Sequence, residues 1–169
     1  MSNLVYLSLG ANVGDRVGHI REAIARLEMA GSVIAVSSLY ETEPVEFTDQ
    51  PWFLNCAVSM ETAKTPAQLM ATLLTIEQEM GRQRSQKKGP RSIDIDILLF
   101  ISDGSDTIVD SPELTIPHPA MQQRRFVLEP LAEIAPEAQH PALNKTVCEL
   151  LAGLPAGQEV RRIPTAGRD

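Results

Sequence analysis

Lys87-Lys88-Gly89-Pro90-Arg91-Ser92-Ile93-Asp94-Ile95-Asp96-Ile97-Leu98-Leu99-Phe100 is a basic loop, bearing glycine and proline, that runs into a segment rich in β-branched residues. A short apolar run of this kind reads as a buried strand. Side chains alternate across a strand, so Asp94 and Asp96 share one face while Ile93, Ile95, Ile97 and Leu99 share the other. About 3.3 Å of rise per residue puts the two aspartate α-carbons roughly 6.5–7 Å apart, close enough for both carboxylates to serve one site. Two negative charges on a mostly buried strand are costly unless something positive neutralises them. A sheet edge carrying two solvated aspartates is one reading. The other is a hard divalent cation such as Mg2+, which takes oxygen ligands. The second is favoured by Lys87, Lys88 and Arg91, which reach the same end of the strand. Cations beside metal-ligating carboxylates suit a polyphosphate.

Working outward, residues 3–9 read as a first strand, stopped by Gly10-Ala11-Asn12-Val13-Gly14-Asp15. Val17, Ile20, Ile24 and Leu27 have helical spacing and predict a helix ending near Gly31. Residues 32–42 read as a second strand, 43–51 as a polar loop and 53–62 as a third strand. Pro66 starts a helix with a stripe of Leu69, Leu73, Ile76 and Met80, ending at Gly81. After the aspartate strand, residues 102–105 signal a turn and 107–109 a short hairpin partner. Pro117-His118-Pro119 precedes a helical stretch with Phe126, Leu128, Leu131 and Ile134, closed by Pro136. A short helix covers 147–151, and the tail, 153–169, is expected to be loosely ordered. With no linker or repeat, residues 1–169 form one domain. The order of strands and helices predicts an α+β class, with helices packed on a largely antiparallel sheet.

Composition narrows the function. The chain has 169 residues, 43% of them apolar and 22% charged, and a formal net charge of -7. That balance argues against a nucleic-acid binder. Positive charge is local, at Arg82, Arg84, Lys87, Lys88 and Arg91, which suits a small anionic ligand. Cys56 and Cys148 match no metal or redox pattern and are read as buried free thiols in a reducing cytosol. The first residues lack a basic leader and are too short to span a membrane, so the expected setting is cytoplasmic, without a membrane partner.

Phe53 and Asn55 share the strand face opposite Leu54, Cys56 and Val58. An aromatic ring and a carboxamide form a recognition pair for a flat heteroaromatic ligand, or simply a strand end covered by the 43–51 loop. Glu77 lies one turn before Arg82 and is placed to hold it. His118 reads equally as a structural histidine or a phosphate contact. Arg124 and Arg125 open a helix, where a cation is disfavoured unless an anion lies nearby. Gly10-Ala11-Asn12 only faintly suggests a phosphate-cradling turn.

Together these segments resemble the 6-hydroxymethyl-7,8-dihydropterin pyrophosphokinases of folate biosynthesis. The matching residues are 8–12, 37–44, 50–55, 76–84, Gly89-Pro90-Arg91-Ser92-Ile93-Asp94-Ile95-Asp96, and 117–131. The resemblance implies a ferredoxin-like, three-layered α/β/α sandwich. It implies transfer of the β,γ-diphosphate of ATP to the pterin hydroxymethyl group, with two Mg2+ ions on Asp94 and Asp96. Thr42, Pro44, Val45, Phe53, Asn55 and Phe126 match positions around the pterin, stacked between Phe53 and Phe126. Arg82, Arg84, Arg91, His118 and Arg124 match positions near the phosphates, and Leu98, Leu114 and Thr115 the nucleotide side. Lys87-Lys88 stand where some members carry a tryptophan, and Glu113 where some carry an arginine. The partners implied are ATP and the pterin, bound by a monomer. Paired aspartates also occur in two-metal phosphodiesterases, and the fold alone would serve a ligand-sensing module.

Overall fold

The computed structural model describes residues 2–43, 52–81, 92–157 and 159–163. In chain order the elements are β1 (Asn3–Ala11), α1 (Arg16–Arg26), β2 (Ser32–Val36), β3 (Tyr40–Thr42), β4 (Phe53–Thr62), α2 (Pro66–Glu79) and β5 (Asp94–Ser102). They continue with β6 (Ser105–Asp106), β7 (Val109–Asp110), β8 (Thr115–Ile116), α3 (Arg125–Ile134), β9 (Gln139–His140), β10 (Lys145–Thr146), α4 (Val147–Ala152) and β11 (Val160–Arg162). The main sheet runs β11-β3-β4-β1-β5-β6, with β2 also paired to β4. Every pairing among the described residues is antiparallel. With β2 and β3 taken as one interrupted strand, the first half follows the βαββαβ order of a ferredoxin-like fold.

Alternation splits the sheet into two apolar faces. Leu7, Leu9, Leu54, Val58, Ile95 and Ile97 pack with Ile20 and Leu27 from the α1 side and with Leu69, Leu73 and Ile76 of α2. On the other face Ala57, Leu98 and Leu99 meet Leu128 and Leu131 of α3 and Val147 and Leu150 of α4. The result is three layers, as expected. Helix starts follow local chemistry. Thr65 and Gln68 form a capping box ahead of Pro66, Thr146 and Glu149 form another, and Asp15 accepts the Gly18 N–H at 3.0 Å.

Several expectations are corrected. β1 continues through Gly10 to Ala11 because β4 pairs with it over that whole length. Residues 32–42 form two strands, broken at residues 37–39. There the Ser37 N–H donates to the Ala57 carbonyl and the Ser37 hydroxyl accepts the Ala57 N–H, so a side chain stands in for a backbone acceptor. Leu99 does not share the face of Ile93, Ile95 and Ile97. A bulge opposite Tyr6 and Leu7 inserts Leu98, and both leucines then face α3. The partner of β5 is Ser105–Asp106, while Val109–Asp110 turns away to pair with Thr115–Ile116. The tail is not loose over Val160–Arg162, which satisfies the open edge of β3. Cys148 is exposed on α4; Cys56 is buried and its thiol pushed up to about 12 by desolvation. Among the described residues no helix is long and apolar enough to cross a membrane.

Gly31 marks a close approach, since a Cβ there would overlap the Glu61 carbonyl of β4 and lie 3.1 Å from Met60 Cε. Gly31→Ala should therefore cost about 2–3 kcal/mol by overpacking against backbone. Urea denaturation measures this; an unchanged midpoint would mean that the turn has room to spare.

Candidate active site

The register of β1 gathers the polar residues. Gly10 is opposite Asn55 on one side and Asp94 on the other, and Ser8 is opposite Ala57 and Asp96. Because Leu9, Leu54 and Ile95 point into the α1–α2 layer, Ser8, Gly10, Phe53, Asn55, Asp94 and Asp96 belong to the face on which α3 lies. Two inter-strand spacings separate Asn55 from Asp94 at the backbone, about 10 Å.

Asn55 is buried, and Thr42 Oγ1 donates to its Oδ1 at 2.7 Å. That bond fixes the amide, with Nδ2 on its other side as a donor. Asn55 Nδ2 lies only 2.8 Å from the place a Cβ on Gly10 would take. Gly10 therefore serves close approach across the sheet, which replaces its reading as an anion-cradling turn. Phe53 is opposite Thr42 across β3 and β4, half-buried at the strand's start.

Asp94 and Asp96 are both half-buried. Between them, the Ile95 N–H donates to Glu77 Oε2 at 2.7 Å, so a carboxylate only 2% exposed grips the backbone of the aspartate strand. Sequence spacing had placed Glu77 beside Arg82, which lies outside the described residues. No cluster of three or more His, Cys, Asp or Glu side chains suited to a metal occurs among the described residues. Two half-buried carboxylates on one face have the oxygen donors that a hard divalent ion such as Mg2+ takes.

His118 is held by its backbone, whose N–H donates to the Leu98 carbonyl at 3.0 Å, and by Nδ1, which accepts the Ala120 N–H at 3.1 Å. Burial, helped by the nearby Arg124 charge and opposed by Asp94, brings its pKa down to about 4. The ring is thus neutral at pH 7. With Nδ1 accepting, its proton sits on Nε2, which becomes an uncharged donor. The Arg124 guanidinium stands 5.5 Å over the Phe126 ring at the start of α3. His118 therefore lies within electrostatic reach of both Arg124 and Asp94.

A cleft of about 190 Å³ opens along β5 short of its pairing with β6. Asp96, Glu113, Leu114, Thr115 and His118 line it, with Met70 of α2 and Pro119 at its walls. Leu114 and Thr115, which the resemblance assigns to the nucleotide side, are both on this lining. Leu98 is not on this lining; its side chain is 1% exposed in the core beneath α3. Met70, off the apolar stripe of α2, was not anticipated, nor was the placing of Ser8 and Gly10 on the face of the aspartates. The alternation Val5, Leu7, Leu9, Ala11 could have revealed those two, since it leaves Ser8 and Gly10 on the opposite face. Pro44, Val45, Arg82, Arg84, Lys87, Lys88 and Arg91 lie outside the described residues.

Residues 6–136 match the profile of the 7,8-dihydro-6-hydroxymethylpterin-pyrophosphokinase family. The chain belongs to this family. It is 44% identical over 146 residues to the 2-amino-4-hydroxy-6-hydroxymethyldihydropteridine pyrophosphokinase of Bacillus subtilis, covering 85% of each chain. It is 38% identical to the protein of that name from Pseudomonas aeruginosa, over 98% of this chain and 100% of the other. A folic acid synthesis protein of Schizosaccharomyces pombe shares 42% identity across 92% of this chain, which spans 21% of that longer protein. Among solved structures, a Plasmodium falciparum HPPK-DHPS triple mutant superposes with a TM-score of 0.71 at 20% identity, covering 90% of this chain and 44% of that one. That likeness bears on the fold.

Two outcomes follow for this family member. Gly10→Ala should push the Asn55 amide out of place. Pterin affinity, measured by fluorescence titration, should fall about tenfold, since an unpaired buried polar group costs roughly 1–3 kcal/mol; unaltered affinity would place the ring elsewhere. Folding favours neutral His118, so its contribution to stability is full above its ordinary value of 6.5 and lost as pH falls toward about 4. Denaturant midpoints of His118→Asn should therefore fall less steeply over that window than those of the unaltered protein. Parallel curves would show that His118 is not neutralised by folding.

Proposed function

We propose that this chain transfers the β,γ-diphosphate of ATP to the hydroxymethyl group of 6-hydroxymethyl-7,8-dihydropterin, releasing AMP, in folate biosynthesis. Family membership supports the reaction. The observation that supports its geometry is the row Asn55–Gly10–Asp94, in which the Asn55 amide and the carboxylate pair share one face with only a glycine between them.

In this reading Asn55 orients the pterin through Nδ2, with Thr42 holding the amide and Phe53 and Phe126 offering ring faces. Pro44 and Val45 are assigned to the pterin as well, on the resemblance alone. The hydroxymethyl group then projects toward Asp94 and Asp96. The adenosine end of ATP enters the cleft at Leu114 and Thr115. His118 Nε2–H and Arg124 donate to phosphate oxygens, joined by Arg82, Arg84, Lys87, Lys88 and Arg91. Leu98 acts through its backbone, next to His118. Asp94 and Asp96 are the residues to hold two Mg2+ ions, which when bound neutralise phosphate charge and acidify the accepting hydroxyl. Phosphoryl transfer leaves little covalent work for protein, so positioning and charge do most of it. A neutral His118 donates without adding a cation that would have to be desolvated beside Arg124. One chain supplies all these groups, in keeping with a monomer, and two free cysteines accord with a reducing cytoplasm.

AMP formation from ATP and Mg2+, with and without the pterin, tests the reading. Pterin-dependent AMP is the expected result; none, or AMP formed equally without pterin, rejects it. Asp94→Asn and Asp96→Asn should each lower kcat about a hundredfold or more, because charge stabilisation worth several kcal/mol is withdrawn. Near-unaltered turnover in either variant at saturating Mg2+ would remove that carboxylate from the site.

A further inference from the structure

Strand β11 lies beyond residues 6–136, the part of the chain that the family profile matches. It nevertheless lies against the strand that builds the ring-binding face. Val160 is opposite Thr42, Arg161 opposite Glu41 and Arg162 opposite Tyr40. The contact extends to Glu43, whose N–H donates to the Glu159 carbonyl at 3.1 Å and whose Oε1 accepts the Glu159 N–H at 3.3 Å.

Arg161 makes two contacts that reach further. Its guanidinium donates to Glu41 Oε1 at 3.2 Å and stands 4.4 Å over the Trp52 ring. The other oxygen of Glu41 receives Arg16 at 2.9 Å, and the same arginine donates to the Trp52 carbonyl, also at 2.9 Å. Arg16 draws the Glu41 carboxyl down, burial pushes it up and Arg161 draws it down again; the net is below its ordinary range, so the hub is charged at neutral pH. Trp52 is thus gripped by its ring and by its carbonyl, and the two grips meet on one carboxylate. The next residue is Phe53. Thr42, beside Glu41 on β3, is the residue whose hydroxyl fixes the Asn55 amide.

We propose that β11, through Arg161, is a positioning element for the pterin-recognising residues Phe53 and Asn55. This rests on the pterin reading above. The Arg161 side chain is 58% exposed, and an exposed ion pair contributes little to global stability. Its effect is therefore in where Trp52, Phe53 and Thr42 stand, and it should appear in ligand affinity with little change in melting temperature.

Trp52 is the single tryptophan of the chain and reports on this contact directly. Calorimetric titrations with the pterin, in the presence of a non-hydrolysable ATP analogue and Mg2+, would compare the unaltered protein with Arg161→Ala, Arg161→Lys and Glu41→Gln. Arg161→Ala should shift Trp52 emission and raise the pterin Kd about threefold to tenfold, the range that a cation–π contact and a partly exposed ion pair allow. Affinity for the ATP analogue should not change. Arg161→Lys should restore part of the loss, and Arg161→Ala in the Glu41→Gln background should cost less than it does alone. An unchanged pterin Kd in Arg161→Ala would overturn the proposal, as would equal losses for both ligands with a lowered melting temperature. If the unaltered protein binds no pterin, the reading beneath the proposal fails and the proposal falls with it.

Discussion

The pairing of β1 along its length with β4 on one side and β5 on the other is the constraint from which the rest of the structure is measured. A one-residue slip on either side would turn every side chain of the shifted strand to the wrong face, and both faces of this sheet are buried by helices. The apolar residues on β1, β4 and β5 therefore hold a register that also aligns Asn55, Gly10 and Asp94. Core packing and site geometry are the same restraint seen from two sides of the sheet. Gly10 is the point where they meet, because any side chain there would collide with the Asn55 amide.

Two carboxylates, Glu77 in the core and Glu133 at the surface, are each given donors. Glu77 takes the Ile95 N–H from behind the aspartates. Glu133 on α3 takes the Ser38 N–H and hydroxyl and the Tyr40 hydroxyl, and Arg162 of β11 adds its charge. Burial pushes the Glu133 carboxyl up, yet the bonds from Tyr40 and Ser38, with Arg162, outweigh it and leave it below its ordinary range. Tyr40 is raised by burial and by this carboxylate, so it stays a protonated donor. Glu133 thereby closes the break between β2 and β3 and ties α3 to the strand that carries Thr42. The helix that delivers Arg124 and Phe126 is fixed to the sheet through this hydrogen-bonded carboxylate.

What could be read from the sequence was local. Alternation revealed β4 and β5 and set Phe53 with Asn55 and Asp94 with Asp96, while helical spacing revealed α2. The gap at residues 37–39 was hidden because a serine hydroxyl there does what a strand carbonyl would do. β11 was hidden because its reason for being a strand is the open edge of β3, on the far side of the chain's length. That Asn55 and Asp94 share a row was likewise not legible, since register between distant strands is set by the assembled core. The protonation of His118 depends on burial and on a residue six positions away, and no motif encodes either.

The bulge at Leu98 shows how such non-local effects reach the site. Strict alternation would give Leu99 to the α1–α2 layer, but the inserted residue turns both Leu98 and Leu99 toward α3 and Phe100 the other way. Two adjacent leucines thus anchor α3 immediately beyond the aspartates. The carbonyl of the bulged Leu98 accepts the His118 N–H, which brings the histidine beside the same strand. Leu98 therefore bears on the site without lining its cleft. Its side chain sets the helix that carries Arg124, its carbonyl sets His118, and both converge on the carboxylates two and four residues before it.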